Sequence, residues 1–254
     1  MNKFLTRNLF VLLVFLAIII GMTPLSSAHK IHSSVLKYIY FTFDDGPLKG
    51  SENIDSVILS ERLKISVFLV GENIEKSRQL DKYYKMYEQN PFVEAYNHSY
   101  THANLKYELY YQIPENVLAD IRKNEQLLNL KFKIVRLPGR NMWRIGDRKR
   151  DDQVSGSAAA DLLARNGYKI FGWDLEWQHN DKNGTPVQSV EEMIREIDSR
   201  IDGGRTFTKD HIVILLHDQM FEKNWEKSEL KQLIDKLRMR EYYVFEHIRF
   251  YPDK

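Results

Sequence analysis

Short apolar runs rich in β-branched and aromatic residues alternate along the chain with amphipathic helical patterns. Seven runs have the length and composition of buried strands: residues 38–43, 65–70, 92–97, 133–137, 168–173, 212–217 and 242–247. Between them, apolar residues recur three and four positions apart, as in residues 54–58 and 230–237. Seven strands that alternate with about six helices predict a parallel α/β domain, either an open doubly wound sheet or a barrel.

Two helix starts are marked by their local chemistry. Pro114 suits the first position of a helix, where its missing N–H is not needed. Ser189 and Glu192 have the spacing of a capping box. We therefore expect helices to begin at or next to these positions.

The chemically unusual residues follow the predicted strands at one end. Asp44 and Asp45 follow the first strand, His98 and His102 the third, Arg136 ends the fourth, Asp174 and Glu176 end the fifth, and His217 ends the sixth. In parallel α/β folds, ligands bind at the carboxyl ends of the strands. The sequence therefore predicts one functional site at this end of the sheet.

His98 and His102 are separated by four positions, a spacing that places both imidazoles on one face of a helical turn. Alone, this spacing is more typical of surface or capping histidines than of metal ligands. Two neutral imidazoles and one carboxylate, with positions left for water, form a catalytic arrangement for zinc or a similar divalent ion. Such an ion would lower the pKa of its bound water and polarise a carbonyl group.

The adjacent carboxylates could divide two tasks between them. One of Asp44 and Asp45 could bind the metal while the other takes a proton from water, although a polar turn is the simpler interpretation of this segment. His217 closes an apolar strand and is a candidate general acid, or a core histidine. Arg136, at the end of a buried strand, needs a carboxylate partner, and a nearby Asp44 would be held ionised by it.

The N-terminus departs from the composition of a soluble domain. Residues 9–22 form an apolar run of 14 residues that follows Lys3 and Arg7 and precedes a small-residue ending at Ala28. This pattern predicts a secretory signal peptide over residues 1–28, with an N-terminal anchor as the alternative. We therefore expect an exported protein, whether periplasmic, secreted or at the cell surface, with no stable membrane span once the leader is cleaved.

Charge and cysteine content exclude several kinds of site. Without residues 1–28 the chain holds 35 basic and 35 acidic residues, so nothing predicts a nucleic-acid partner. The chain contains no cysteine, which excludes disulfides and thiolate metal ligands and is compatible with an exported bacterial protein.

Five short segments, in order, resemble the motifs of a known family. "TFDDGP", "NHSYTH", "RLPG", "WDLEW" and "LLHD" are similar to the motifs of the polysaccharide deacetylases with a NodB-homology domain, carbohydrate esterase family 4. The resemblance covers residues 38–247 and implies that residues 29–254 form one catalytic domain. It implies a distorted (β/α) barrel with about seven parallel strands.

The resemblance also implies a role for individual residues. Asp44 would be the general base, with Arg136 holding it, and His217 the general acid. The metal ligands would be Asp45, His98 and His102, with zinc as the first choice of ion. Trp177 and Leu215 would line the pocket for the acetyl methyl group.

The chain departs from the family pattern in two motifs. In the third motif, Gly139 stands where the family has an aromatic residue, so an aromatic contact to sugar is lost, while the Gly139 backbone N–H could still stabilise an oxyanion. In the fourth, Glu176 fills the carboxylate position that tunes the acid, but Asp174 competes because alternate residues of a strand share a face. The adjacent segment 139–151 is unusually basic and predicts a solvated loop or a contact with an anionic glycan.

These features predict an exported, metal-dependent hydrolase that removes N-acetyl groups from the amino sugars of a polysaccharide, of the peptidoglycan or exopolysaccharide type. An O-acetyl carbohydrate esterase and a catalytically weak carbohydrate-binding protein are the alternatives. The other histidines form no pattern and are interpreted as structural or surface residues; they are His29, His32, His179, His211 and His247.

Overall fold

A computed structural model describes residues 35–180 and 182–253, and these form one compact unit. The predicted leader, residues 1–28, lies outside the described residues. Among the described residues, no helix is both long enough and apolar enough to cross a membrane.

Ten strands of the described residues belong to one sheet. They are β1 (Lys37–Asp44), β2 (Ile65–Leu69), β3 (Val93–Asn97), β4 (Ile134–Val135), β5 (Trp143–Ile145), β6 (Arg148–Arg150), β7 (Lys169–Ile170), β8 (Leu175–Glu176), β9 (His211–His217) and β10 (Tyr243–Phe245).

Eight α-helices of the described residues connect or flank these strands. They are α1 (Ser51–Glu61), α2 (Gly71–Lys76), α3 (Arg78–Gln89), α4 (Tyr107–Tyr110), α5 (Pro114–Leu127), α6 (Ser157–Arg165), α7 (Val190–Asp202) and α8 (Glu229–Arg238). Short 3₁₀ segments cover His102–Leu105, Asp218–Phe221, Trp225–Lys227 and Ile248–Phe250.

The sheet is curled. Its order is β6-β5-β7-β4-β3-β2-β1-β9-β8, and β10 pairs with the first half of β1. Strands β7 and β8 lie toward opposite ends of this order, yet only residues 171–174 join them. Because an extended chain advances at most about 3.6 Å per residue, this link spans roughly 18 Å. The two sides of the sheet must therefore approach each other, as in an incomplete barrel.

Both faces of the central strands are buried. On β1, Ile39, Phe41 and Phe43 belong to the core between the sheet and the surrounding helices. Tyr40, on the opposite face, belongs to an aromatic cluster inside the curl. This two-sided burial explains why the parallel strands appear in the sequence as continuous apolar runs rather than as alternating patterns.

The predicted distorted barrel is confirmed, and each of the seven apolar runs contains a strand. Both helix starts are confirmed as well, since α5 begins at Pro114 and Ser189 forms a capping box with Glu192 before α7. Two features differ from the prediction. The β5–β6 hairpin adds two antiparallel strands, and residues 174–176 do not end the fifth run but lead into the separate strand β8, which pairs with β9.

Candidate active site

The end of β1 directs two adjacent carboxylates to different partners. Asp44 is the last residue of the strand and is buried, and its Oδ1 accepts a 2.8 Å hydrogen bond from Arg136 Nη1. Asp45 has a φ of 69°, in the left-handed region, and its Oδ1 lies 3.2 Å from His98 Nε2 and 2.9 Å from His102 Nε2. The change of backbone conformation between the two residues separates their side chains.

The two histidines meet through a left-handed turn. Ser99 and His102 have φ values of 67° and 49°, and residues 103–105 are also left-handed. The prediction of a helical turn from the four-residue spacing is therefore wrong. The two imidazoles are nevertheless neighbours, with ring centroids 5.1 Å apart. The turn is held by side chains, because Asn97 Oδ1 accepts the Ser99 N–H at 2.9 Å and Ser99 Oγ accepts the His102 N–H at 3.0 Å.

A buried amide pair behind this turn was missed by the sequence analysis. Asn124 on α5 is completely buried and donates from Nδ2 to Asn97 Oδ1 and to the Leu69 carbonyl, both at 2.8 Å. Asn97 Nδ2 in turn donates to the Ile121 carbonyl. A polar residue on the apolar face of a predicted helix is the signal that could have identified Asn124.

The donor set of Asp45, His98 and His102 fits a metal ion. One ligand atom from each residue lies within 4.8 Å of the other two. His98 Nδ1 lies 2.9 Å from the Arg136 carbonyl oxygen, which can only accept, so in the neutral ring Nε2 carries the lone pair. Asp45 Oδ1 is buried and accepts no hydrogen bond from the described residues. Unprotonated nitrogens that converge on a carboxylate oxygen are the ligand chemistry of zinc and similar cations.

The charges of this cluster favour a cation at its centre. Burial alone would raise the pKa of Asp45, but the contacts with His102 and His98 outweigh it and hold that pKa well below its usual range. Burial alone would lower the pKa of His98, but Asp44 and Asp45 outweigh it and raise that pKa. Both shifts express the same requirement for positive charge beside two carboxylates.

Arg136 is completely buried and connects Asp44 to the interior of the sheet. Besides Asp44, its guanidinium donates to Thr42 Oγ1 at 2.8 Å and to the carbonyls of Phe171 and Gly172 at 3.2 and 2.8 Å. These bonds engage Nε and both terminal nitrogens in one plane, as a guanidinium requires. Asp44 compensates the charge of Arg136. Removing either partner would leave the charge of the other uncompensated in the core.

His217 ends β9 directly beside the end of β1. The backbones of His217 and Asp44 are in register, and His217 Nε2 lies 4.0 Å from Asp45 Oδ2. The structure therefore brings His217 to the metal-ligand cluster, with its side chain only partly exposed. Its Nδ1 has no hydrogen-bond partner among the described residues.

His179 lies beside His217, although the sequence analysis interpreted it as a structural or surface residue. The two rings have a centroid separation of 4.8 Å, and the Gln219 side chain is 2.5 Å from His179 Nε2. Because residues 179 and 217 belong to segments that pair only in the folded sheet, no local pattern indicated this neighbour.

The carboxylates at 174 and 176 have different environments. Asp174 accepts hydrogen bonds from the backbone N–H groups of Phe207 and Val213, at 2.7 and 2.9 Å, and thus joins two segments of the fold. Burial raises the pKa of Glu176, and the largest opposing influence is the charge interaction with His217. This arrangement favours Glu176 over Asp174 as the carboxylate that acts on His217.

The structure buries both Trp177 and Leu215. Trp177 is completely buried in the core between the sheet and the helices, and its Nε1 donates to the Gln188 carbonyl at 2.8 Å. Leu215 is in register with Thr42 and Glu176 at the same level of the sheet. The burial of Trp177 gives no support to a contact between its ring and a substrate, so that role stays a prediction.

The arginines that follow Gly139 belong to the fold. Arg140 donates to Glu108 and to the Ser155 carbonyl. Arg144 on β5 donates to Asp151 and Asp161 at 2.5 and 2.7 Å. The predicted solvated loop is wrong, because Trp143–Ile145 and Arg148–Arg150 form a hairpin and the Arg140 and Arg144 side chains are buried. A contact of this segment with an anionic glycan stays a prediction.

Gly139 itself has a φ of 62°, which favours glycine, and no described residue accepts its N–H. The donor expected to stabilise an oxyanion is therefore uncommitted in the fold. This agrees with the expectation but leaves the role a prediction.

Asp218, directly after the candidate acid, is a second buried carboxyl group near the site. Its Oδ2 accepts hydrogen bonds from the Ser51 hydroxyl and, at 3.0 Å, from Tyr87. Gly46 packs so closely that a Cβ there would lie 2.6 Å from the same oxygen. Burial raises the pKa of Asp218 to about 7. Asp218 lies in the segment "LLHD", but no pattern in the sequence indicated a role for it.

A cleft of about 410 Å³ borders the cluster. Asp45 and His102 line it together with Leu48, Val70, Glu72, Asn73, Lys76, Thr101, Asn104 and Leu105. This volume is in the range of small-molecule sites, so a substrate group can reach the cluster from this side.

Comparison with known proteins agrees with this geometry. The family model described as "Polysaccharide deacetylase" matches residues 34–154, which include Asp44, Asp45, both histidines of the turn and Arg136. Over these residues the chain is similar to the polysaccharide deacetylase family. The resemblance predicted from the five motifs is thereby confirmed.

Two relatives show how the chain compares with longer proteins of this kind. It is 25% identical over 185 residues to a peptidoglycan-N-acetylglucosamine deacetylase of Bacillus cereus, an alignment that covers 72% of this chain and 60% of that protein. It is 23% identical over 204 residues to a bifunctional xylanase/xylan deacetylase of Cellvibrio japonicus, covering 80% of this chain and 26% of that protein. The chain thus spans less than two thirds of the length of either relative.

A solved structure supports the fold. A CE4 esterase from Streptococcus mutans superposes with a TM-score of 0.61 at 21% identity, covering 84% of this chain and 86% of that one. At this identity the likeness establishes the shared curled α/β architecture.

Proposed function

We propose that this chain is a metal-dependent hydrolase that removes N-acetyl groups from the amino-sugar residues of a polysaccharide. The observation that carries the proposal is the convergence of Asp45, His98 and His102 beside Asp44 and His217. Strand ends far apart in sequence supply a metal-ligand set, a carboxylate held by a buried arginine and a histidine.

Asp45, His98 and His102 would hold a divalent ion, and we propose zinc. When bound, the ion would supply Lewis-acid polarisation of the acetyl carbonyl and of the attacking water. The ligand set of two imidazoles and one carboxylate leaves positions for both.

The remaining residues would move protons and stabilise charge. Asp44, fixed by Arg136, would take a proton from the attacking water as the oxygen of that water bonds to the acetyl carbon. The uncommitted Gly139 N–H would donate to the oxyanion. His217 would donate a proton to the amide nitrogen as the carbon–nitrogen bond breaks, with Glu176 stabilising the charged imidazole. The products are acetate and a free amine.

The relatives support both an amide and an ester as the bond that is cleaved. The Bacillus cereus protein is described as a peptidoglycan-N-acetylglucosamine deacetylase, which supports an N-acetylated glycan of the peptidoglycan type. The Cellvibrio japonicus protein is described as a xylan deacetylase. Because xylose has no amino group, an acetyl group on xylan is an ester. An O-acetyl carbohydrate esterase is therefore the second candidate function.

We also propose that the protein is exported, with residues 29–254 as its catalytic domain. The apolar run after Lys3 and Arg7 supports a leader, and peptidoglycan-type glycans lie outside the cytoplasm.

The test is acetate release from a panel of N-acetylated glycans and acetylated xylan, with and without a chelator. We expect release from an N-acetylated glycan, loss of release with the chelator, and recovery when Zn²⁺ is added. Release from acetylated xylan alone would favour the esterase. Binding of glycans without release from any member of the panel would favour a carbohydrate-binding protein, and release that persists in metal-free protein would contradict the mechanism.

A further inference from the structure

Tyr107, the first residue of α4, lies beside the metal-ligand cluster. Its ring meets His102 edge to face, with centroids 5.9 Å apart and an interplanar angle of 84°. On another side the Arg140 guanidinium lies 5.5 Å from the ring centroid. The side chain is half-buried.

The ring occupies the space where position 139 would carry a side chain. A Cβ added to Gly139 would lie 3.1 to 3.3 Å from three ring carbons of Tyr107. Contacts this short are tighter than most Cβ contacts in proteins, so a side chain at 139 would require the Tyr107 ring to move. The absence of a side chain at Gly139 therefore allows α4 to place an aromatic ring against the backbone of the proposed oxyanion donor.

The hydroxyl of Tyr107 differs from those of its neighbours. Tyr110 donates to Asp120 at 3.0 Å and Tyr111 donates to the Pro138 carbonyl at 2.7 Å. Within the described part of the chain, no residue forms a hydrogen bond with the Tyr107 hydroxyl. The Tyr107 hydroxyl is not fully buried, so it can form a hydrogen bond with a group from outside the fold.

We propose that Tyr107 is a substrate-contacting residue that forms one wall of the sugar-binding site. A pyranose ring presents apolar C–H groups on its faces and hydroxyl groups at its edge. An aromatic ring with an uncommitted hydroxyl matches both, since it offers apolar surface and one donor. The proposal rests on the proposed function, and it assigns to α4 the aromatic contact that the sequence analysis expected to be lost at position 139.

Tyr107 could instead act only by packing against His102. The two roles differ in what a truncation changes. Loss of a sugar contact weakens glycan binding and leaves the metal site intact, whereas loss of support for His102 reduces the metal content. The experiment must therefore measure both.

The test compares Tyr107→Ala and Tyr107→Phe with Leu109→Ala, a truncation of an exposed apolar residue on the same helix. We expect Tyr107→Ala to raise KM for an N-acetylglucosamine oligomer about tenfold, with kcat changed less than KM. Tyr107→Phe should raise KM by a smaller factor, because it keeps the ring and loses one hydrogen bond. Zinc content and Tm should remain at wild-type values, and Leu109→Ala should leave KM unchanged.

A second measurement separates this inference from the proposed function. Calorimetric titration of the same oligomer into Asp44→Asn, with and without Tyr107→Ala, reports binding independently of catalysis. Weaker binding by the double variant than by Asp44→Asn alone supports the contact. This holds even if the wild type releases no acetate, because the absence of acetate release would overturn only the proposed function. The inference would be overturned by an unchanged KM and Kd in the variants that carry Tyr107→Ala, by loss of zinc from Tyr107→Ala, or by no binding to any glycan of the panel.

Discussion

The different environments of Asp44 and Asp45 follow from the backbone of two consecutive residues. Asp44 is still in the extended conformation of β1, and its side chain meets the buried guanidinium of Arg136. Asp45 adopts a left-handed φ of 69° and faces the histidines. Two consecutive residues thus supply a carboxylate that is paired in the core and one that faces the two imidazoles.

The two asparagine variants of this pair should have different effects. We expect Asp44→Asn to retain zinc and to lose a factor of about 10² to 10⁴ in kcat, because it removes the group that would accept the proton of water. Asp45→Asn should lose zinc, because the amide replaces an anionic ligand. Elemental analysis and acetate release measure both effects. Loss of zinc from Asp44→Asn together with retention by Asp45→Asn would show that the assignment is reversed.

At the scale of the elements, the site depends on the loops that follow β1 and β9. Asp218, at the start of the loop after β9, accepts hydrogen bonds from Ser51 on α1 and Tyr87 on α3. Gly46, in the loop after β1, packs closely against the same carboxyl group. One buried carboxyl group therefore joins the segment of the candidate acid to the segment of the candidate metal ligand Asp45.

This arrangement predicts a pH dependence of stability. Asp218 has a pKa of about 7 in the fold, raised by burial from an ordinary value of 3.8. Between these values the unfolded chain releases the proton while the folded chain keeps it. The contribution of Asp218 to the free energy of unfolding is therefore fully present below about pH 4 and is lost as the pH rises through about 7.

Urea unfolding of the wild type and Asp218→Asn at several pH values between about 4 and 8 isolates this contribution. Because the amide does not titrate, the variant should lose less stability than the wild type as the pH rises, by a difference on the order of a few kcal/mol. Comparing the slopes removes any pH-independent cost of the substitution. Parallel pH profiles of the two proteins would contradict the prediction.

At the scale of the whole molecule, the candidate metal ligands join parts of the sheet. Asp45 follows β1, while His98 and His102 follow β3, and β2 lies between these strands. An ion bound by all three would favour the folded state, in which the ligands converge, over the unfolded chain, in which they do not.

Metal should therefore raise Tm. At a free Zn²⁺ concentration of about 100 times Kd, binding adds about 2.7 kcal/mol to the stability of the folded state. For a chain of this size, each kcal/mol corresponds to about 2–4 °C in Tm. We expect a chelator to lower the Tm of the wild type and to leave that of His102→Ala unchanged. Asn104→Ala, an exposed position in the same turn, is the matched control and should respond as the wild type does. An equal chelator effect in His102→Ala would place the metal elsewhere.

The sequence by itself determined the positions of the seven main strands and the collection of reactive residues at one end of the sheet. Strands buried on both faces require continuous apolar runs, and a parallel sheet places the residues after those runs at one edge. Both features are local, so each can be recognised without knowledge of the packing. The family motifs were recognised for the same reason, since each lies in a few consecutive residues.

Only the tertiary structure decided which distant segments meet. The pairing of β8 with β9 places Glu176 near His217, and it also brings His179 beside that ring. The ring of Tyr107 lies over Gly139 because α4 and the loop after β4 pack together. Residues 174 and 176 look equivalent in an alternating pattern, and nothing near Gly139 in sequence indicates the ring above it. Such contacts depend on how the whole sheet curls and packs, which no local pattern of apolar and polar residues records.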